Sequence, residues 1–176
     1  MEIRDARPAD MEAVTAIYND AIRHSRAVWT ETPVDVADRR RWLAGHRRAG
    51  DAVLVAVDGD GTIVGYASFG AWRPWEGYRH TVEHSLYVRS DRHRQGIGRA
   101  LLLQLVERAR AAGKHAMVAG IEAENAASIR LHRRLGFEPV GRLSQVGSKF
   151  GAWLDLLFLE RLLDERPAPP APPGAR

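Results

Sequence analysis

The chain has 176 residues, 45% of them hydrophobic and 27% charged, which suits one core of ordinary domain size. It contains no cysteine, and this excludes disulfides, thiolate metal sites and cysteine nucleophiles. Its net charge of +4 comes from 26 basic residues interleaved with 22 acidic ones, which describes a mixed solvated surface and not a nucleic-acid-binding face.

The opening MEIRDARPAD is charged where a signal peptide would be apolar, and no apolar run approaches the roughly 18 residues of a membrane span. A cytoplasmic protein with neither a membrane nor a nucleic-acid partner is therefore expected. Glu2 to Ala6 reads as a strand, and Pro8 and Asp10 open a helix with Met11, Val14, Ile17, Tyr18 and Ile22 at helical spacing. A loop holding Trp29 and Pro33 precedes a second helix, Asp35 to Arg48, with Val36, Trp42 and Leu43 inward. The arginine runs 39–41 and 47–48 read as the surface of that helix. Ala52 to Val57 is an apolar strand, joined through Asp58-Gly59-Asp60-Gly61 to a strand over Thr62 to Gly70, a hairpin.

The aromatic loop Ala71 to Tyr78 leads into a strand from Thr81 to Val88. From Gln95 a helix carries Leu101, Leu102, Leu105, Val106 and Ala109 on one face until Gly113 stops it. A buried strand from His115 to Ile121, a helix from Asn125 to Leu135 closed by Gly136, and strands Phe137 to Val146 and Ala152 to Leu159 complete the pattern.

 The last of these strands thus runs from Ala152 to Leu159. Residues 1–163 are expected to form one domain, and the proline-rich stretch 164–176, with PAPPAPPGA between two arginines, to be a disordered tail. The order of elements describes an α/β sheet of mixed direction with one right-handed crossover through the helix after Gly98.

Strand, basic turn, Gly96-Ile97-Gly98 and helix is an arrangement that points free backbone N–H groups and a helix dipole at an anion. Leu101 stands where a dinucleotide fingerprint wants Gly or Ala, and the Gly-Lys-Ser/Thr of a Walker loop is missing. Taken alone, the turn is equally an ordinary helix start with glycine for tightness. The strand before it alternates Val82, His84, Leu86 and Val88 with Thr81, Glu83, Ser85 and Tyr87. Glu83 reads either as a structural acid or as a carboxylate beside a cofactor turn, ready to accept a proton. Asn125, Ser128 and His132 share one helical face, and Leu131 and Leu135 another.

The R/Q-x-x-G-x-G/A pattern after a Val-ended strand, with a later helix that opens at Asn125 and ends in Gly136-Phe137, resembles the GNAT family of acetyl-CoA-dependent N-acetyltransferases. The resemblance covers about residues 2 to 160, with one departure: His93 stands where the family usually has Arg or Gln. It implies a GNAT-like mixed, mostly antiparallel central sheet flanked by helices, and acetyl-CoA as co-substrate with no metal. It also implies a pyrophosphate cradle from the amides of Arg94, Gln95, Gly96, Ile97, Gly98 and Arg99, and coenzyme A contacts from Asn125 and Ser128. Strand amides of Leu86, Tyr87 and Val88 would stabilise the thioester oxygen, and Glu83 would be the general base. His132 takes the place of a tyrosine that commonly protonates the thiolate, and its reference pKa of about 6.5 suits that role near neutral pH.

Three longer segments, WTETPVD from Trp29, GAWRPWEGYRHTVEHSLYV from Gly70 and KFGAWLD from Lys149, are similar to the phosphinothricin and methionine sulfoximine acetyltransferase subfamily. This narrower resemblance implies acetylation of the α-amine of a small L-amino acid or analogue, such as methionine sulfoximine, methionine sulfone or phosphinothricin. Trp29, Arg73, Pro74, Trp75, Glu83, His84 and Ser85 would line the pocket, with Arg73 clamping the substrate carboxylate. An arginine stacked on Trp72 or Trp75 is the alternative for Arg73. Lys149 and Trp153 would close the pocket from the last hairpin or from a partner subunit, since a homodimer is expected. Competing readings are acetylation of a protein N-terminus or a polyamine, an acyl-CoA sensor without catalysis, and a nucleic-acid module motivated by the basic pI.

Overall fold

Strand residues alternate between two cores, one on each face of a single sheet. The computed structural model describes residues 1–170, so the end of the expected disordered tail, 171–176, lies outside the described residues. In chain order the elements are β1 (Glu2–Asp5), α1 (Met11–His24), α2 (Val36–Ala49), β2 (Val53–Val57), β3 (Ile63–Ala71) and β4 (Thr81–Val88). There follow α3 (Ile97–Ala111), β5 (Ala116–Glu122), α4 (Ala126–Arg134), β6 (Glu138–Lys149) and β7 (Ala152–Leu162). The seven strands lie in the order β1-β2-β3-β4-β5-β7-β6. Among the described residues β4 and β5 form the one parallel pair, joined by the crossover through α3.

Strand β2, VLVAV, shows why its sequence lacks polar alternation: both faces are covered. Val53, Val55 and Val57 meet Met11, Val14 and Ile17 of α1 and Leu43 of α2, whereas Leu54 and Ala56 join the core under α3. On α3, Leu101, Leu102 and Leu105 are fully buried, each contributing roughly 1.5–3 kcal/mol by leaving water. Asp35 caps α2 by accepting from the Asp38 N–H, and Gly50 ends it in the left-handed conformation.

The chain-order reading holds for every helix and strand, with shifted ends. The last hairpin is longer than its apolar runs suggest. Pairing continues because Phe150 and Gly151 both take positive φ, a tight turn whose twist suits the strands. Short 3-10 turns at Pro8–Asp10, Glu76–Tyr78 and Ser90–Arg92 are too brief to leave a periodic signal.

Candidate active site

Where β4 and β5 part, the sheet opens. The two strands pair only from Thr81↔Ala116 to Glu83↔Val118, yet β4 runs on to Val88 and β5 to Glu122. The Trp72 N–H donates to the Thr81 carbonyl and the Arg89 N–H to the Val64 carbonyl, so odd-numbered residues of β4 bond to β3. His84, Leu86 and Val88 therefore turn their backbone groups toward the gap. A cavity of about 780 Å³ occupies it, lined by β4, by Ala119 to Glu122 of β5, by α4, and by the end of α1 at Asp20, Ala21 and His24. Those α1 residues carry no motif, and only the packing of α1 over the gap brings them there.

The glycine turn closes one end of this cavity. Gly96 holds φ +82° and Arg94 φ +62°, a left-handed pair of positions that curls the backbone around its own N–H groups. The first i to i−4 bond of α3 runs from the Ala100 N–H to the Gly96 carbonyl. The amides of Ile97, Gly98 and Arg99 thus precede the helical ladder and face outward with the positive end of the dipole. Arg89 pairs with Asp91 and Arg92 with Asp58, whereas Arg94 and Arg99 form no ion pair among the described residues. His93, the departure in the motif, donates from Nε2 to the Val88 carbonyl at 3.1 Å and so caps the end of β4. Gln95 lies exposed in the same turn.

On the α1 face of β4, the Glu83 carboxylate leans toward β5. A Cβ at Gly120 would lie 3.1 Å from its Oε1, so the glycine leaves the carboxylate its room. Burial raises the Glu83 pKa above 4.5, partly opposed by the cation of Arg73. Ser85 and Tyr87 continue this face, with the Tyr87 ring packed on Tyr66 and Tyr18.

The opposite face carries a histidine pair. His84 and His132 approach Nε2 to Nε2 at 3.0 Å with ring planes 16° apart and centroids 5.0 Å apart, which is an edge-to-edge hydrogen bond and not a stack. His132 donates from Nδ1 to the Ser128 carbonyl at 2.7 Å. In the neutral ring Nε2 must then accept, which makes His84 the donor and leaves its Nδ1 buried without a partner. Burial and the neighbouring His132 pull the His84 pKa to about 3, and burial lowers that of His132 despite the Ser128 carbonyl. This corrects the picture of a freely available imidazolium: the reference pKa belongs to a solvated ring, and His132 is 2% exposed. Asn125 serves as the N-cap of α4, its side chain accepting from the Ser128 N–H, and both residues line the cavity.

The residues expected around the substrate separate into three groups. Arg73, Pro74 and Trp75 are exposed in the β3–β4 loop, with the Arg73 guanidinium 4.1 Å from the centre of the Trp72 ring. Trp29 donates from Nε1 to the Arg26 carbonyl, and its ring lies against Gly147, where a Cβ would sit. Lys149 needs a correction, since it is not part of the cavity wall. It is 1% exposed and donates to the carbonyls of Ser25 and Val28 at 2.7 and 2.6 Å, which ties the α1–α2 loop to the last hairpin. Burial lowers its pKa, with Glu31 opposing. Trp153 is 69% exposed on that hairpin.

The acetyltransferase (GNAT) family model matches residues 14–137. The chain belongs to this family. It is 57% identical over 162 residues to an L-methionine sulfoximine/L-methionine sulfone acetyltransferase of Pseudomonas paraeruginosa, covering 92% of this chain and 94% of that protein. It is 50% identical over 171 residues to the L-amino acid N-acyltransferase MnaT of Escherichia coli, covering 97% and 99%. A phosphinothricin acetyltransferase from Sinorhizobium meliloti, solved in complex with acetyl-CoA, superposes with a TM-score of 0.94 at 38% identity, covering 98% of this chain and 94% of that one.

As a GNAT protein, the chain is an acetyl-CoA-dependent N-acetyltransferase, and the gap suits that co-substrate. Strand groups left open along β4 match an extended amide-bearing arm, and the turn at Gly96 with Arg94 and Arg99 matches a pyrophosphate. Among the described residues no cluster of three or more metal-ligating side chains is present.

Proposed function

We infer that the chain acetylates the α-amine of a small L-amino acid or analogue, with methionine sulfone, methionine sulfoximine and phosphinothricin as the first candidates. The names of its relatives support the substrate class. The observation that carries the chemistry is the half-buried Glu83 carboxylate at the point where β4 leaves β5. An amine must lose its proton before it attacks a thioester, and a carboxylate of raised pKa there accepts that proton directly or through one water. Amides of Leu86 and Val88 are the candidates for stabilising charge on the thioester oxygen, whereas the Tyr87 amide, expected with them, faces β3 in the Tyr66 pairing and is not free for it.

His132 lines the same cavity, and its burial keeps it neutral at rest. Its Nδ1 proton, held by the Ser128 carbonyl at rest, is the one it would pass to the departing coenzyme A thiolate, and the proton given up by the amine would replace it. Asn125, Ser128 and the amides from Arg94 to Arg99 would hold coenzyme A, with Gln95 at the rim. Arg73, with Pro74 and Trp75 around it, would hold the substrate carboxylate from the open loop, and Trp29 would cover it. A polyamine would want acidic walls, and this loop is basic.

Residues 1–163 act as one catalytic domain in this reading, and the cellular setting is the cytoplasm. The long outer strand β6 is exposed, with Val140, Leu143 and Val146 beside Phe150 and Trp153 of the same hairpin, an apolar edge that a second copy would cover. Sedimentation of the purified chain gives a dimer if this edge is the interface. A coenzyme A release assay over a panel of L-amino acids, polyamines and an Ala-initiated peptide tests the function. Release with methionine sulfone and not with spermidine or peptide supports the reading, whereas acetyl-CoA binding without release from any amine would replace it with a sensor.

A further inference from the structure

A second, smaller cavity of about 260 Å³ lies between α2 and the sheet, on the Glu83 face of β4. Its walls are mostly hydroxyl side chains: Tyr18, Tyr66 and Ser68, with Ser85 and Tyr87 shared with the large cavity in the gap. Tyr66 and Ser68 are 1% and 4% exposed, and buried hydroxyls are costly without a partner. The remaining polar wall is Arg39, an arginine that the sequence pattern assigns to the helix surface.

Arg39 is instead folded inward and locked. Its side chain is 14% exposed, and its guanidinium lies 4.7 Å from the centre of the Tyr18 ring and 5.0 Å from that of Trp42. Nε and Nη2 both donate to Asp38 Oδ1, at 2.9 and 2.7 Å, which leaves Nη1 free of Asp38. The pocket therefore offers directed donors, while Asp38 offsets the positive charge. Such a site suits a strongly polar, uncharged acceptor better than a full anion.

We propose that this cavity receives the oxidised head of the substrate side chain, an S=O or S=N group, and that Arg39 is the residue that selects it. The assignment rests on the amino-acid acetyltransferase reading above. Residues two apart on a strand lie roughly 7 Å from each other, so an α-amine at Glu83 sets the end of a methionine-length side chain near Ser85 and the mouth of the cavity. The substrate then lies along one face of β4, with its carboxylate toward Arg73 and its side chain toward Arg39.

Steady-state kinetics with L-methionine sulfone and L-methionine test this, in the wild type, Arg39→Met and Tyr66→Phe. The wild type should favour the sulfone by at least about tenfold in kcat/KM, because a site built for a polar acceptor is left unpaired by the thioether. Arg39→Met should lower kcat/KM for the sulfone by about 10- to 100-fold, mainly through KM, and change that for methionine less than about threefold. Tyr66→Phe, which removes one oxygen and keeps the packing, should reduce the preference by about threefold or more. Equal losses with both substrates, or a wild type that does not distinguish them, would overturn the role of Arg39 while leaving the enzyme an amino-acid acetyltransferase. A wild type that acetylates neither, nor any other amino acid, would sink both readings.

Discussion

The two faces of β4 differ in how they treat titratable groups. On the α1 side Glu83 stays within reach of an arginine and an open loop, and its pKa rises only as far as partial burial drives it. On the α3 side His84 is sealed against His132 and Phe137, and burial strips it of charge at any working pH. Successive residues of one strand thus become a proton acceptor and a neutral hydrogen-bond donor. The difference comes from what packs above each face, since the pleat itself only alternates the directions.

The largest effect that would break this contrast is loss of the carboxylate. Glu83→Gln should lower kcat about 10²- to 10³-fold while calorimetry finds acetyl-CoA binding retained, and unchanged turnover would remove Glu83 from the mechanism. His132→Phe should cost about tenfold or more in kcat with partial recovery in His132→Tyr, because a phenol can also supply a proton. Full activity in the phenylalanine variant would leave the histidine face with a packing role alone.

The pH profile sharpens the comparison. The general base works unprotonated, so kcat/KM should fall as pH drops through a Glu83 pKa that lies above 4.5. Because the Arg73 cation lowers that pKa, Arg73→Gln should move the acid limb to higher pH, and a shift the other way would contradict the placement. The sealed face predicts a stability effect. Unfolded His84 binds a proton below about 6.5 and folded His84 only near 3, so acidification from pH 7 to 5 favours unfolding by about 2 kcal/mol from this group. A thermal or urea midpoint that falls less on acidification in His84→Leu than in the wild type would show it.

A smaller loss is expected away from both faces. Lys149→Met strands two buried carbonyls, and the unfolding free energy in urea should drop by about 1–3 kcal/mol, with a raised KM for the amino acid as the Trp29 loop loosens. Undiminished stability and KM would mean that the loop holds itself.

Much of this molecule was legible in the chain. Alternation and helical spacing marked the elements, since burial of one stripe or two faces leaves a local trace, as in Leu101, Leu102 and Leu105 of α3. The glycine turn and the carboxylate at 83 were legible too, as a motif with a fixed spacing. The resemblance of three segments then pointed to the family.

Other features depend on groups far apart in sequence. Lys149 had the right neighbourhood but the wrong task, because its partners are carbonyls 124 and 121 residues away. Arg39 sat in a basic run typical of a solvated face, and only the packing of Tyr18 and Trp42 turned it inward. The tautomers of His84 and His132 follow from a contact across 48 residues, and the gap itself from where β4 and β5 cease to pair. By itself the sequence determined the elements, the anion-binding turn and the types of residue available, because these rest on local periodicity and backbone conformation. Tertiary structure decided which charges are sealed and which remain usable, because desolvation is set by neighbours that local sequence does not name.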